Sequence, residues 1–387
     1  MGLLSAAASG QGEPDATPAD NSERIEELED LVFDLDSRIG SRATWQAYSA
    51  ESVDLGGALS VVGTRAHGDD SNTTSVNTAF FELYLKAKID EEFSVFATPG
   101  FFWLTAPTFT DGANPMTTPT TNQSGVTFQR AYGEWHPTDA INLKVGRFGT
   151  QHGVITSEYF VPSRIITMAP LMARVIGENT LYPQKLDGLQ FSGNRASGSN
   201  VFEYMAYLGV DTIDSEAFDT GFRAGFVMEE LGLSVAVNVG HAKRTGFTAL
   251  TGAPTSLNLS GFWSPFPIIS NSDETYEFYG VDLDYRDGPW VIKSEAYTSD
   301  EHGGQPDRGG AYVQPAYYFT PEWSLAARAD HFVAGQGLGK ASEGVLSLNF
   351  NPNANVRYRM DYHLLDLPSA ATANEVQMLV FSASFSF

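Results

Sequence analysis

Residues 380–387 read VFSASFSF, and their pattern decides the fold. Phe381, Ala383, Phe385 and Phe387 alternate with Val380, Ser382, Ser384 and Ser386. A strand here has one apolar face and one face of small hydroxyls. The edge of a soluble sandwich would read this way, and so would a strand between lipid and a water-filled lumen. The rest of the chain separates the two.

From about residue 53 the same period of two recurs in some sixteen runs, among them FSVFATPGF (93–101), INLKVGRF (141–148), LSVAVNVGHA (233–242) and WSLAARADHF (323–332). Each is near the ~9–11 residues that a tilted membrane strand needs. Alternate links are short and turn-like: DEE (90–92), HPTDA (136–140), EELG (229–232), RDGP (286–289), TPEW (320–323) and NPNAN (351–355), with GNRASGSN (193–200) a little longer. The links between them read as long and polar: residues 68–77, 105–125, 150–185, 243–273, 299–310 and 333–343. Short turns on one rim and long loops on the other describe an outer-membrane barrel, and a sandwich has no reason to segregate them. Closure also removes sheet edges that so many strands would expose.

The faces agree. In FELYLKAKI (81–89) an apolar row stands opposite Glu82, Tyr84, Lys86 and Lys88; in NVRYRMDYHLL (355–365) one stands opposite Arg357, Arg359, Asp361 and His363. Charges in a lumen stay hydrated, so such rows are expected there. The 26 Phe, 16 Tyr and 6 Trp supply interfacial girdles, with Trp135, Trp290, Tyr317 and Trp323 near strand ends. The final strand is then expected to close the barrel, Phe face to lipid and Ser face to water. The expected fold is a 16-stranded antiparallel transmembrane β-barrel over residues 53–387.

Composition bounds the function. With 23 basic and 47 acidic residues the net charge is −24, which excludes a basic nucleic-acid footprint. No cysteine is present, so thiolate metal sites and disulfides are excluded. Residues 1–52 hold three bases against eleven acids, a net of −8, which leaves −16 for the remainder. Residues 1–21 read as a flexible lead-in or trimmed signal remnant. In residues 22–40, Ile25, Leu28, Val32, Leu35 and Ile39 hold a, d, a, d, a positions of a heptad after Ser22 as N-cap. Two heptads are short for an isolated helix, so it either packs on its own domain or joins identical subunits as a trimeric coiled coil. Residues 41–52 link it to the barrel.

Three stretches carry a family resemblance: FQRAYGEWHPTDAINLKVGRFGT (128–150), AYVQPAYYFTPEWSLAARADHF (311–332) and VLSLNFNPNANVRYRMDYHLLD (345–366). Their strand–turn–strand rhythm resembles the phosphate-selective porin O and P family. That resemblance implies a sixteen-stranded homotrimer in the outer membrane of a Gram-negative bacterium, amid lipid and lipopolysaccharide. The terminal Phe387 is similar to the assembly signal of such barrels. An N-terminal coiled coil resembles the arrangement of DcaP-type porins, which implies a helix in the periplasm. The family's arginine ladder and lysine cluster find no residue-by-residue match here.

Parity assigns the lumen. The bases are Lys86, Lys88, Arg130, Lys144, Arg223, Lys293, Arg328, Arg357 and Arg359. The acids are Glu82, Glu134, Glu203, Asp282, Asp284, Glu295, Asp330 and Asp361, with Asp187 added. They form either structural wall networks or a transverse field that orients polar solutes. Residues 150–185 are apolar-rich yet carry Glu158, Arg164, Arg174 and Glu178. They are expected to fold inward and narrow the pore, the alternative being packing over a neighbouring subunit.

Other motifs fail. GQGLGKAS (335–342) lacks the first phosphate-loop glycine, since position 334 is Ala. HGDD (67–70) and DEHGGQPD (300–307) cluster oxygen ligands, a weak surface Ca²⁺ signal and otherwise solvated loops. His152 and His241 have no serine partner in sequence, so no hydrolase is expected and no cofactor is needed. The reading is a channel for passive diffusion of small hydrophilic, charged solutes, anions among them. The alternative is a structural or tethering protein acting through its acidic helix.

Overall fold

The computed structural model describes residues 51–68, 71–105, 122–154, 164–174, 181–183, 185–211, 218–244, 274–301, 307–334, 339–366 and 375–387. The heptad Ile25, Leu28, Val32, Leu35 and Ile39, and the loop acids Glu158 and Glu178, lie outside the described residues. The chain divides into two units, Met1–Glu51 and Ser52–Phe387. The second is the barrel.

Its strands are β1 (Ser52–Gly68), β2 (Ser71–Lys88), β3 (Phe93–Thr105), β4 (Asn122–Thr138), β5 (Ile141–Gly149), β6 (Lys185–Ser197), β7 (Asn200–Asp211), β8 (Phe218–Met228), β9 (Leu233–Arg244), β10 (Glu274–Asp287), β11 (Trp290–Glu301), β12 (Arg308–Tyr318), β13 (Trp323–Ala334), β14 (Gly339–Asn353), β15 (Val356–Asp366) and β16 (Glu375–Ser386). Between β5 and β6 lies one helical turn, α1 (Leu171–Arg174). Each strand pairs antiparallel with its sequence neighbour, and β1 pairs with β16, so the sheet closes. In hydrocarbon every backbone N–H and C=O needs a partner within the protein, and a closed ladder supplies them all.

Exposure follows the pleat. On β15 Tyr358, Met360, Tyr362 and Leu364 are exposed, while Arg359, Asp361, His363 and Leu365 between them are buried. Stacked or tilted aromatic pairs ring the short-turn rim: Phe93 with Trp135 at 6.1 Å, Trp290 with Tyr317 at 4.8 Å and Trp323 with Phe350 at 4.5 Å. This is the girdle expected where strands leave the apolar band.

Three outer links are shorter than their polarity implied. β1 and β2 stay paired to Gly68 and Ser71, β11 and β12 leave only residues 302–307 between them, and β13 and β14 leave only 335–338. Thr and Ser have the β propensity to continue a ladder once a register exists, so polar composition alone does not end a strand.

The seam has its own lock. The Phe387 N–H donates to the Gly57 carbonyl and the Gly57 N–H to the Phe387 carbonyl, each at 3.0 Å. The Phe387 ring stacks on Phe81 at 6.2 Å and crosses directly over Gly57, where an added Cβ would lie 2.4 Å from its Cζ. Gly57→Val therefore displaces the ring from the seam. It is expected to lower the temperature at which the folded barrel converts to unfolded chain in detergent electrophoresis, by the ~1–3 kcal/mol typical of overpacking. Gly344→Val, whose Cβ meets nothing within 4 Å, is the control that leaves that temperature unchanged.

Candidate functional site

The segment between β5 and β6 enters the barrel. Ile165 and Ile166 bury against Ala316, Ala326 and Val345 of the inner wall. Met168, Leu171, Met172, Leu181 and Tyr182 join Phe278, Tyr297, Tyr312 and Phe332 in a larger apolar cluster. Val376, Met378 and Val380, on the inward face of β16, belong to the same cluster. An inward apolar row on a barrel strand makes sense only because this segment, not water, lies against it.

Charged wall residues hold the segment by its backbone. Arg328 donates to the carbonyls of Met168 (2.8 Å) and Ala169 (3.1 Å) and pairs with Glu343 at 2.7 Å. The Leu171 N–H donates to Asp330 at 2.5 Å, which satisfies an orphan donor at the start of α1. The Thr167 N–H donates to Asp361 at 2.8 Å, and its hydroxyl bonds Ser382 at 2.8 Å. Arg359 and Arg357 both donate to the Arg164 carbonyl, at 2.7 and 2.9 Å. Arg359 also donates to Ser382 and Ser384.

These contacts correct the expectation in one wall. Arg328, Asp330, Arg359 and Asp361 face inward as parity requires, but all four are buried beneath residues 164–172. They anchor the segment rather than stand open to solute. Ser382 and Ser384 likewise face inward yet are buried, so the hydroxyl face of the last strand meets protein instead of water. Arg164, expected at the constriction, is itself buried, and the Arg174 side chain lies outside the described residues. Lys293 and Glu295 are buried too. Glu295 accepts from Tyr312 at 2.8 Å and sits where a Cβ on Gly153 would be 2.2 Å from its Oε2. Gly153 also has φ of 71°, so only glycine lets the segment pass this carboxylate.

His152 fastens the segment's first residues. Asn238 donates its amide to Asp282 at 2.7 Å, so its oxygen is left to accept from His152 Nδ1 at 3.0 Å. His152 Nε2 then accepts from the Tyr207 hydroxyl at 2.9 Å, which fixes the neutral tautomer. Burial pushes the imidazole down to about 4; the bond to Asn238 opposes that shift and the Arg223 guanidinium adds to it.

The opposite wall stays open. A cavity of about 790 Å³ is lined by Arg130, Tyr132, Lys144, Phe148, Glu203, Arg223, Asp282 and Asp284 and reaches Gly153 and Val154 of the segment. Lys144 lies 5.1 Å over the Tyr132 ring and 3.6 Å from Glu134. Arg223 spans Asp282 (3.1 Å) and Glu203 (3.4 Å), while Arg286 holds Asp284 at 2.9 Å. The predicted lining set thus divides: Arg130, Lys144 and Arg223 line this cavity, Glu134 is bound to Lys144 beside it, and Lys86 and Lys88 face inward on β2, Lys86 exposed. Arg357 is half-buried and borders a separate cavity of about 390 Å³ near the short-turn rim. Asp187 points outward, not into the lumen, and pairs with Arg147.

Sequence reasoning missed Glu343, Thr167, Asn238 and Tyr207. Glu343 sits one residue before the run GVLSLNF that marked its strand, and its inward parity was there to be read. The others are uncharged, and nothing in an alternating pattern distinguishes a hydroxyl that will be covered from one that will stay wet. Among the described residues no group of three or more metal-binding side chains comes together.

No protein-family model matches the chain, and no curated protein matches it. Solved structures do. An anion-selective porin from Comamonas acidovorans aligns with a TM-score of 0.60 at 10% identity, over 87% of this chain and 99% of that one. OmpT of Vibrio cholerae, an outer membrane protein in its trimer form, aligns at 0.56 and 12% identity over 87% and 99%. Salmonella typhi OmpF, in complex with daunomycin, aligns at 0.58 and 12% identity over 87% and 97%. The fold is that of outer-membrane barrels, porins among them.

Two outcomes test the segment. Arg328→Met strands Glu343 without its main partner, a loss of about 3–5 kcal/mol for a broken buried pair. It is expected to raise single-channel conductance and to make residues 150–184 cleavable by trypsin, whereas Arg195→Met at the exposed short-turn rim changes neither. The second is pH. An undocked His152 takes up a proton near its ordinary value of 6.5 and a docked one only near 4, so docking stability is complete above 6.5 and declines as pH falls toward 4. Current fluctuations are expected to rise between pH 7 and 4.5, and His152→Phe removes that dependence.

Proposed function

We propose that this chain forms a water-filled outer-membrane channel for passive diffusion of small hydrophilic, charged solutes, as a homotrimer with its N-terminal helix in the periplasm. Selectivity is a matter of bore and lining charge, with no bond made or broken. The observation that carries the reading is the asymmetry of the lumen. One wall is sealed by the anchored segment, and the other keeps charged side chains around an open cavity.

The open side has a polarity. Along β2 to β5 the inward charges are Lys86, Lys88, Arg130 and Lys144 against Glu82 and Glu134. Along β7 to β10 the inward acids are Glu203, Asp219, Asp282 and Asp284; Asp219 is buried, and the other three are held by Arg223 and Arg286. A solute passing between them meets a basic wall on one side and an arginine-clamped, weakly acidic wall on the other. Fields in a narrow low-dielectric passage are poorly screened, so this local excess outweighs a distant surface charge of opposite sign. Small anions, phosphate and carboxylates included, are the solutes this wall favours. The anion-selective porin of similar fold and the strand rhythm shared with the phosphate-selective porins support that direction.

The test is the reversal potential of the purified protein in a planar bilayer across a KCl gradient. Anion preference is expected, falling toward zero in Arg130→Gln/Lys144→Gln. Cation preference in the parent protein rejects the assignment of the basic wall. Absence of any conductance rejects the channel and leaves the tethering role of the acidic helix.

A further inference from the structure

Across the described strands, above the girdle, the outward charges lie toward the long-loop ends, with one early exception. Counting up each strand from its girdle aromatic, the described strands carry at least four uncharged outward residues before any charge. β15 passes Tyr358, Met360, Tyr362 and Leu364 before Asp366, and β10 reaches Glu277 only after four such positions. On β5 and β6 the charge comes early. Above Phe191 and Leu189 stands Asp187; beside it, above Leu143 and Val145, stands Arg147.

The two form a bidentate pair, Arg147 Nε to Asp187 Oδ1 at 2.8 Å and Nη2 to Oδ2 at 2.7 Å. Their side chains remain 34% and 41% exposed, so their own barrel does not cover them. Four residues above the girdle correspond to ~10 Å of height on a tilted strand, well inside an apolar band ~25 Å tall. The local wall is also incomplete. β5 ends at Gly149 and pairs with β4 only up to Ala131, although β4 continues to Asn122. The Arg147 Nη1 donates at 3.4 Å to the Phe128 carbonyl, in the part of β4 that β5 does not reach. Acyl chains offer such groups no hydrogen bond, and charges on a lipid-facing strand are destabilising at this depth.

We propose that the outward face of β4, β5 and β6 around Arg147 and Asp187 is the contact surface for a second copy of this chain. The proposal rests on the homotrimer proposed above and gives it a location. The occupant is protein rather than lipid because only protein supplies polar partners there. It is another copy rather than a charged partner because Arg147 and Asp187 neutralise each other, Lys185 on the next outward rung is taken by Gln129, and Val145, Leu189 and Phe128 around them are apolar like the rest of the barrel surface. The pair's place in the fold explains why the contact falls here. It sits one outward rung below the end of β5, where Gly149 faces Lys185 and the inserted segment leaves the strand.

The chain has no cysteine, so single cysteines at Val145, Leu189, Val281 and Val313 can each carry a bimane label. All four are exposed and outward. The labelled proteins, first shown folded by heat-dependent electrophoretic mobility, go into vesicles of phosphatidylcholine with brominated acyl chains, and their assembly mass is measured in detergent. The expected result is an oligomer in which quenching at 145 and 189 is about half or less of that at 281 and 313, because only the latter meet acyl chains. An oligomer with equal quenching at all four positions overturns the location and leaves the homotrimer standing. A monomer overturns both, while conductance, read separately, still judges the channel. The double change Arg147→Met/Asp187→Leu gives the sign independently. It is expected to lower the temperature at which the oligomer dissociates; a lipid-facing pair would instead be replaced without loss, and an unchanged or raised temperature overturns the proposal.

Discussion

The constraint behind every feature of this barrel is that hydrocarbon offers no hydrogen bonds. It forces the ladder to close at Gly57 and Phe387, and it makes each strand sort its side chains by parity. Sorting by parity then sets the chemistry of the interior. Residues that cannot face lipid accumulate inside, and the barrel acquires an inner wall dense with arginine, lysine, aspartate and glutamate. That wall is polar enough to solvate a backbone. The inserted segment uses it in that way: the carbonyls of Arg164, Met168 and Ala169 and the N–H groups of Thr167 and Leu171 are satisfied by wall charges, not by a ladder.

Burying so many charges is costly unless each is paired and bonded. Arg328 is held by Glu343 and two carbonyls, and Glu343 in turn bonds His363 at 2.8 Å. Apolar area contributes the rest, since Met168, Leu171 and Met172 fill a cluster that a water-filled lumen would not contain. The segment is therefore a small hydrophobic core built inside a membrane barrel, with ionic attachments around its edge. One half of the lumen becomes protein interior. The other half is left as the passage.

The closed barrel was legible because period two leaves a mark in every strand, and Phe381, Phe385 and Phe387 state it in seven residues. The inward fold of residues 164–172 was legible for a different reason, an apolar content that a solvated loop has no use for. What could not be read was which inward charges the segment would cover. Arg328 and Arg130 have the same parity and the same chemistry, yet one is buried and the other borders the open cavity. That difference is set by where a segment distant in sequence comes to rest, and strand alternation holds no information about it. Asp187 was misplaced for a related reason. A charge on a strand is ordinarily an inward residue, and here two opposite charges, Arg147 and Asp187, stand outward and neutralise each other.

The two anomalies of the wall have one origin. When β5 ends at Gly149 so that the chain can turn inward, its ladder with β4 stops at Ala131. The departure that covers one inner wall is the same one that ends this ladder. The outward ion pair stands two residues below that end, on the rung that Ala131 completes. In this fold the covered inner wall and the outward ion pair both border a single shortened strand.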